Sequence, residues 1–219
     1  LDLWHAQIDL GKLTVRFMSH QGANRVDRLS EDDFVRNELA YLDGVKESPI
    51  EKTQDIVLYG FGRIGRLMAR LLVERTSTGE VIRLKAIVVR PAGHGDLAKR
   101  AGLFTADSVH GAFQGTVRVD EENNCLIANG NVIKVIYADS PEEIDYTDYG
   151  IDDALIIDNT GKWRDEDGLS LHLKARGASK VILTAPGKGN LKNIVYGIND
   201  DQMSPDDKII TAASCTTNA

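Results

Sequence analysis

A glycine-rich turn constrains the fold of this chain more than any other stretch. Residues 60–65 read Gly-Phe-Gly-Arg-Ile-Gly and directly follow the short apolar run 55–59. After the turn, apolar side chains recur on one face of a helix, at Ile64, Leu67, Met68, Leu71 and Leu72. A GxGxxG turn between a strand and a helix is typical of a dinucleotide-binding βαβ unit.

Each glycine of the turn has a separate physical role in such a unit. Gly60 permits the tight turn, Gly62 lets a pyrophosphate approach the backbone, and Gly65 allows the helix to pack closely on the strand. The amides of Arg63 and Ile64 would face the phosphates, with the positive end of the helix dipole behind them. A glycine turn without a ligand is the alternative, but the flanking strand and helix favour dinucleotide binding.

Strands and helices alternate along the rest of the chain. The short runs between residues 116 and 138 are separated by Asn and Gly, which favours an antiparallel meander. The Gly-rich stretch before them is predicted to be irregular. The pattern as a whole predicts an α/β fold, a Rossmann-like doubly wound and mostly parallel sheet with the meander inserted. Further strands are predicted at 82–89, 116–120, 126–128, 132–138, 154–158, 180–184, 194–198 and 209–213, and a helix at 165–176.

Residues 1–52 have a different, helical pattern. Ser30 precedes three acidic residues suited to a first helical turn, and that helix is predicted to continue to Gly44. We interpret this region as a helical extension packed on the main domain, with a separate binding module as the alternative. An earlier helix is predicted to begin at the capping residue Asp9, to stop near Gly22 and to carry one apolar face, made of Leu10, Leu13, Phe17 and Met18.

Composition argues against several classes of function. The 219 residues carry a formal net charge of −7, which disfavours nucleic acid as a partner, since phosphate backbones require an excess of Lys and Arg. No apolar run approaches the roughly 18 residues of a membrane span. The chain begins with Leu1 and without the features of a secretory signal, which suggests a piece of a longer protein. The two cysteines, Cys125 and Cys215, are too few for a disulfide framework, so we expect a cytoplasmic location. They also lack metal-ligand spacing, so we expect no metal site.

The end of the second predicted strand bears on the choice between NAD and NADP. An NAD site usually places Asp or Glu there for the ribose hydroxyls, whereas an Arg can accommodate a 2′-phosphate. Here the strand ends Val89-Arg90-Pro91, with no carboxylate. The prediction is NAD or NADP as cofactor, with NADP tolerated. A solvated arginine at a strand end is the alternative interpretation of Arg90.

A cysteine near the last residue is a candidate nucleophile. Cys215 follows the predicted strand 209–213, and the residues after it could begin a helix. A thiol at a helix N-terminus has a lowered pKa, and a thiolate attacks aldehydes readily. Ser214 and Thr216 flank it with hydroxyls suited to a phosphate or an oxyanion. A single cysteine is otherwise more often a small buried residue.

Five segments together resemble the glyceraldehyde-3-phosphate dehydrogenase family. They are GFGRIGR at 60–66, ADSVHGAFQGTV at 106–117, NTGKW at 159–163, KVILTAPGKG at 180–189 and IITAASCTTN at 209–218. The segments occur in the family's order over residues 55–219, and SCTTN is highly specific. Residues 1–52 lie outside the usual family and resemble the leader of a bacterial long form.

The resemblance implies roles for individual residues. Cys215 matches the nucleophile that forms a thiohemiacetal with the aldehyde and, after hydride transfer to the nicotinamide, a thioester that inorganic phosphate cleaves. Ser214 and Thr216 match residues that contact the substrate or the phosphate. Arg63 and Ile64 match the pyrophosphate-binding amides. The positions that match the lining of the cofactor cleft are Thr160, Gly161 and Thr184.

Four parts of the sequence depart from the family pattern. Tyr59 stands where the family usually has Asn, and Val89-Arg90-Pro91 replaces the usual Asn-Asp-Pro, which puts NAD specificity in doubt. Asp139 stands where an Arg on the adenine side is expected. Ala219 replaces a second cysteine that is not the nucleophile.

The resemblance also implies a domain organisation and an activity. Residues 53–213 would form the NAD(P)-binding Rossmann domain and residues 214–219 the start of a catalytic domain. The expected protein is a phosphorylating glyceraldehyde-3-phosphate dehydrogenase of glucose metabolism, a homo-oligomer at full length, acting on a small phosphorylated aldehyde and inorganic phosphate. The family's catalytic His lies downstream, so this piece alone is expected to be inactive. An erythrose-4-phosphate dehydrogenase paralogue and a dinucleotide-binding module without catalysis are the alternatives.

Overall fold

The computed structural model describes residues 8, 10–23, 29–43, 53–77, 81–91, 93 and 95–213. The chain divides into two compact units, Leu1–Lys52 and Thr53–Ala219.

The first unit contains two helices, α1 (Leu10–Ala23) and α2 (Glu31–Glu38), the second followed by a short 3₁₀ turn. Ser30 caps α2, its Oγ accepting from the amide of Asp33 at 3.1 Å. The two helices contact each other through the rings of Phe17 and Phe34, whose centroids lie 5.2 Å apart.

The two helices differ from the helical prediction in extent and in the burial of one face. The second helix ends at Glu38 rather than at Gly44, because the chain tightens into the 3₁₀ turn. Leu10 and Met18, predicted on the apolar face of α1, are exposed. The proposed cap Asp9 and the proposed stop Gly44 lie outside the described residues.

The second unit is built on an eight-stranded sheet. Its strand order is β10-β9-β8-β1-β2-β7-β6-β5, parallel from β10 to β7 and antiparallel from β7 to β5. The helices are α3 (Arg63–Ser77), α4 (Asp96–Thr105) and α5 (Glu166–Lys174). The strands are β1 (Gln54–Tyr59), β2 (Ile82–Val89), β3 (Ala106–Asp107), β4 (Gly111–Ala112), β5 (Val117–Asp120), β6 (Cys125–Ala128), β7 (Asn131–Tyr137), β8 (Ala154–Asp158), β9 (Ala178–Leu183) and β10 (Ile209–Thr211).

The central strands are apolar on both faces because helices cover both sides of the sheet. In β1, Ile56 and Leu58 join the cluster formed with α3 and α4. Their neighbours Val57 and Tyr59 face the opposite way and join the cluster that contains Leu169 of α5. Successive strand residues point to opposite faces, so one short run contributes to two cores. The predicted doubly wound, mostly parallel sheet is confirmed.

The meander and the stretch before it were predicted with different success. Strands β5, β6 and β7 form the expected antiparallel meander, and they extend one edge of the sheet. The Gly-rich stretch is not irregular throughout, since it contains α4 and the small hairpin β3–β4. Its glycines obscured the helix, whose inward face consists of Leu97, Ala101 and Phe104 at helical spacing.

The predicted strand at 194–198 was wrong. Asn193, just before this segment, makes an isolated bridge to Thr211, and the chain then turns at Gly197, where φ is +78°. Tyr196 is 90% exposed and Ile198 is 79% exposed. An apolar run therefore formed a surface turn here, because the chain must reverse before it enters β10.

Within the described residues, no helix is long and apolar enough to cross a membrane.

Candidate functional site: the cleft between two adjacent strands

The candidate site lies at the carboxyl ends of β1 and β8. These strands are neighbours in the sheet, but the chain leaves β1 toward β2 on one side and leaves β8 toward β9 on the other. The two connections diverge and leave a crevice between them, which is where open α/β sheets bind ligands.

The glycine turn at the end of β1 is packed too tightly for side chains at two of its positions. Gly60 has φ +94°, and a Cβ there would lie 2.7 Å from Cγ2 of Thr160. A Cβ on Gly65 would lie 2.3 Å from the carbonyl oxygen of Gly60. The backbone can turn from β1 into α3 at this point because both residues lack side chains.

Gly62 is different, because nothing lies within 4 Å of where its Cβ would be. Helix α3 begins at the next residue, and Arg63 and Ile64 in its first turn are exposed. Open space next to backbone amides and a helix N-terminus is the arrangement that binds phosphates. This part of the turn therefore fits the pyrophosphate of a dinucleotide.

The opposite wall of the cleft is the loop after β8. Thr160 lies against the glycine turn, and its backbone N–H and its hydroxyl both donate to Oδ1 of Asp158, at 2.6 and 2.7 Å. Gly161 follows with φ +63°, a conformation that favours glycine. Hydrogen bonds thus hold this loop close to the strand from which it emerges.

Thr184, after β9, connects the next strand to the same wall. Its hydroxyl lies 3.1 Å from the carbonyl oxygen of Asp158 and 3.2 Å from Oδ1 of Asn159. Farther along, both Nε and Nη2 of Arg164 donate to the carbonyl oxygen of Pro186. The loops after β8 and β9 are therefore joined by several hydrogen bonds, including one from the amide of Lys188 to the carbonyl oxygen of Arg164, at 2.6 Å.

Beneath this wall lies a cluster of polar and aromatic side chains, in which Tyr59 and His172 are buried and Trp163 is half-buried. The rings of Tyr59, Trp163 and His172 meet edge to face, with centroids 4.7 to 5.6 Å apart. Burial, reinforced by the charge of Asp158, raises the pKa of the Tyr59 phenol well above its usual value. The phenol therefore stays protonated at neutral pH. Trp163 packs in this cluster against both other rings.

Arg90 lies at the adjacent part of the carboxyl edge. It directly follows β2 and is exposed. Ala138 donates its amide to the carbonyl oxygen of Val89, at 3.0 Å, so the residues after β2 and β7 begin side by side. The exposed Asp139 is the next residue on that neighbouring chain. One cation and one carboxylate thus follow two adjacent strands.

The structure brings together most of the predicted cofactor residues and leaves the catalytic ones unplaced. The glycine turn, Thr160, Gly161 and Thr184 all lie at the carboxyl edge of β1, β8 and β9. Ser214, Cys215 and Thr216 lie outside the described residues, which reach Ala213 shortly after β10.

Sequence reasoning missed two buried residues of this site, Asp158 and His172. Two signals were present: an acidic residue ends an otherwise apolar strand, and a histidine lies three residues after the core residue Leu169 on the inner face of a helix. Neither pattern is specific, because strands often end in acidic residues and helices often contain histidine.

The doubly wound sheet and its glycine turn define the class of this protein as a dinucleotide-binding domain. A family model described as "Glyceraldehyde 3-phosphate dehydrogenase, NAD binding domain" matches residues 54–166, just over half of the chain. The chain belongs to this family, and its cofactor is NAD(P).

Curated relatives agree with this assignment. A "Glyceraldehyde-3-phosphate dehydrogenase-like protein" of Pseudomonas aeruginosa is 57% identical over all 219 residues, which correspond to 46% of that protein. The glyceraldehyde-3-phosphate dehydrogenase of Thermotoga maritima is 41% identical over 75% of this chain and 46% of its own length. The chloroplastic glyceraldehyde-3-phosphate dehydrogenase A of Zea mays is 35% identical over 90% of this chain and 47% of its own length. The chain spans about half the length of these relatives.

Proposed function

We propose that this chain is the cofactor-binding part of an NAD(P)-dependent dehydrogenase that oxidises a small phosphorylated aldehyde. The observation that carries the proposal is the cleft at the β1–β8 crevice, where the open face of Gly62 and the first turn of α3 lie opposite Thr160. The printed names of the relatives supply the substrate class. We place the activity in glucose metabolism, in the cytoplasm, and in a homo-oligomer of the full-length protein.

The chain's own residues divide the work of binding. The amides of Arg63 and Ile64 hold the pyrophosphate, supported by the dipole of α3. Thr160, Gly161 and Thr184 form the wall along which the rest of the cofactor lies. Bound NAD(P) supplies the acceptor for the hydride that leaves the aldehyde carbon.

Cys215 carries the covalent chemistry of the proposal. Its thiolate adds to the aldehyde carbon, a C–S bond forms, and the carbonyl oxygen takes up a proton to give a thiohemiacetal. Oxidation of that carbon, with loss of the hydroxyl proton to a base, leaves a thioester. An oxygen of inorganic phosphate then attacks the carbonyl carbon, the C–S bond breaks, and an acyl phosphate leaves as the thiolate is restored. Ser214 and Thr216 contact the substrate or the phosphate.

The two cysteines allow a matched test in the full-length protein. Formation of reduced nicotinamide is followed with glyceraldehyde 3-phosphate, inorganic phosphate and either NAD or NADP. We expect Cys215→Ser to lower the turnover by more than about a thousandfold, because serine is a far weaker nucleophile at neutral pH. Cys125→Ser is the control, since Cys125 is buried in β6 and burial raises the pKa of its thiol.

Two other outcomes would redirect the proposal. Turnover with erythrose 4-phosphate well above that with glyceraldehyde 3-phosphate would assign the tetrose substrate instead. Nucleotide binding without turnover on either aldehyde would assign a binding module without catalysis.

The 219-residue chain assayed alone is expected to be inactive, because the catalytic base of the family lies downstream of Cys215. Robust turnover by this piece would contradict that account.

A further inference from the structure

A fully buried histidine and a fully buried carboxylate lie below the cofactor cleft. Nε2 of His172 in α5 is 3.0 Å from Oδ2 of Asp158, the last residue of β8, and both side chains are 0% exposed. Buried charged or polar groups are costly unless they are paired, so the two side chains depend on each other.

The same carboxylate also holds the wall of the cleft. Its other oxygen, Oδ1, accepts from both the backbone N–H and the hydroxyl of Thr160. The Thr160 hydroxyl in turn accepts from the amide of Lys162, at 3.1 Å. Asp158 therefore links helix α5 to the loop that lies against the glycine turn, and His172 holds the far side of that link.

Packing alone does not explain the imidazole. Its second nitrogen, Nδ1, is buried without a hydrogen-bond partner among the described residues. An apolar side chain would fill the same space without burying an unpaired polar atom. The rings of Tyr59 and Trp163 meet the imidazole edge to face, with centroids 4.7 and 5.6 Å from its own. These contacts hold the ring in the orientation that points Nε2 at the carboxylate.

We propose that His172 is a positioning residue for nucleotide binding: it orients Asp158, and Asp158 holds Thr160 against the cofactor cleft. This inference rests on the proposed function, because Thr160 is taken to face the nucleotide. Neither His172 nor Asp158 needs to touch the nucleotide. A change at His172 affects the cleft through Asp158, because one carboxylate oxygen contacts His172 and the other contacts Thr160.

The test compares two amide substitutions at His172 in the full-length protein. Gln places its amide nitrogen near the position of Nε2 and can still donate to Asp158, whereas the shorter Asn cannot reach. Both changes remove the aromatic ring. Nucleotide affinity is measured by calorimetric titration with NAD and with NADP, and thermal stability is measured alongside.

We expect His172→Gln to bind nucleotide within about threefold of the wild type and His172→Asn to bind at least about tenfold more weakly, as expected for loss of a hydrogen bond to a charged group. A solely structural role predicts that the two variants lose stability together with no difference in affinity. Equal affinities for Gln and Asn would therefore overturn the inference. Absence of nucleotide binding by the wild-type protein would instead overturn the proposed function.

A second pair of variants tests the route through Thr160. Thr160→Val removes the hydroxyl and keeps the shape, while Thr160→Ser keeps the hydroxyl. We expect the Val variant to bind at least about fivefold more weakly than the Ser variant. Adding His172→Asn to the Val variant should weaken binding by no more than about twofold, because residues that act in series are not additive. Full additivity would show that His172 acts by another route. If His172→Asn fails to fold, the Thr160 pair decides the question, and equal affinities would overturn the inference.

Discussion

The carbonyl oxygen of Gly60 occupies the space that a side chain on Gly65 would need. The distance from that oxygen to an ideal Cβ on Gly65 is 2.3 Å, well inside van der Waals contact. Only glycine at position 65 leaves room for this oxygen, because any other residue would place a Cβ against it. Here the end of β1 and the first turns of α3 approach until backbone meets backbone. Gly62, between them, faces open space. The turn thus separates a structural requirement from a binding requirement.

Alanine substitutions at Gly65 and Gly62 should therefore affect different properties, the first the stability of the protein and the second its affinity for nucleotide. Gly65→Ala should destabilise the protein by about 1–3 kcal/mol, because a methyl group is forced against a backbone oxygen that cannot move freely. Gly62→Ala should change the free energy of unfolding by no more than about 0.5 kcal/mol, yet weaken nucleotide binding about tenfold or more, because the new methyl group lies where the pyrophosphate approaches. Urea denaturation without nucleotide and calorimetric titration with NAD measure the two effects. Equal loss of stability in both variants would contradict this division.

Arg70 of α3 should be a strong stability determinant. Its Nε and Nη2 donate to the carbonyl oxygen of Phe104, at 3.0 and 2.7 Å, and Nη1 donates to that of Gly111, at 3.0 Å. Arg70→Met keeps much of the length but leaves both carbonyl groups without these donors, so we expect a loss of about 2–4 kcal/mol in the free energy of unfolding. Urea denaturation checks this value.

The control for that change is Arg118→Met on β5. Arg118 belongs to the same unit as Arg70, but it lies on a strand and is exposed. Its substitution should alter the free energy of unfolding by about 0.5 kcal/mol or less. A similar loss in both variants would show that the fork of hydrogen bonds from Arg70 contributes little.

Arg90 should matter more for NADP than for NAD. A guanidinium at the end of β2 can pair with a 2′-phosphate, which NAD lacks. We expect Arg90→Ala to weaken NADP binding about tenfold and NAD binding less than about twofold. Parallel titrations of the full-length protein measure both, with Arg118→Ala as the control for a general loss of positive charge. A strong preference for NAD that is unchanged in Arg90→Ala would refute the role of this residue.

Asp107 should make part of the stability pH-dependent. The amides of His110 and Val109 donate to its Oδ1, each at 2.9 Å, and the His110 ring lies 3.1 Å away. These contacts hold the pKa of the carboxyl well below its usual range. A depressed folded-state pKa stabilises the protein above the unfolded pKa, near 4 for Asp, and that contribution is lost as the pH falls toward the folded value.

The prediction for Asp107→Asn follows from that sign. The wild type should be more stable than the variant at pH 7, and the difference should shrink progressively below about pH 4. Thermal unfolding between pH 7 and pH 3 measures this, with Asp206→Asn in an exposed turn as the control. A stability difference that stays constant down to pH 3 would contradict the role assigned to the Asp107 carboxylate.

The parts of the fold that were predicted correctly depend on short-range patterns. Strand β1 was visible as a continuous apolar run that ends in the glycine turn, and the helix after it was visible because five apolar residues recur at the helix period. Ser30 and Asp165 were placed correctly at helix starts because a cap bonds an amide only three residues away. Helix α4 was missed because its glycines and the Gly-rich stretch before it masked a short apolar face.

The prediction of a strand at 194–198 failed because a strand depends on more than the local sequence. Five residues rich in β-branched and apolar side chains favour a strand locally, but pairing in a sheet needs a neighbour in register. The structure places one isolated bridge at Asn193, just before the segment, and then a turn at Gly197, with Tyr196 and Ile198 facing solvent. The local preference for a strand was present, but among the described residues no strand pairs with residues 194–198.

The amino-acid sequence was enough to predict the glycine turn and the alternation of strands and helices, because both depend on residues close together in the chain. It was also enough to predict the family, because the five matching segments are read directly from the sequence. The wall of the cleft depends on residues far apart. Thr160 meets Gly60 only because β1 and β8 pair in parallel, and Thr184 meets Asn159 only because β9 lies on the other side of β8. His172 reaches Asp158 only because α5 packs across the sheet. Nothing in the local sequence specifies these contacts, since strand pairing and helix packing determine which distant side chains are buried together.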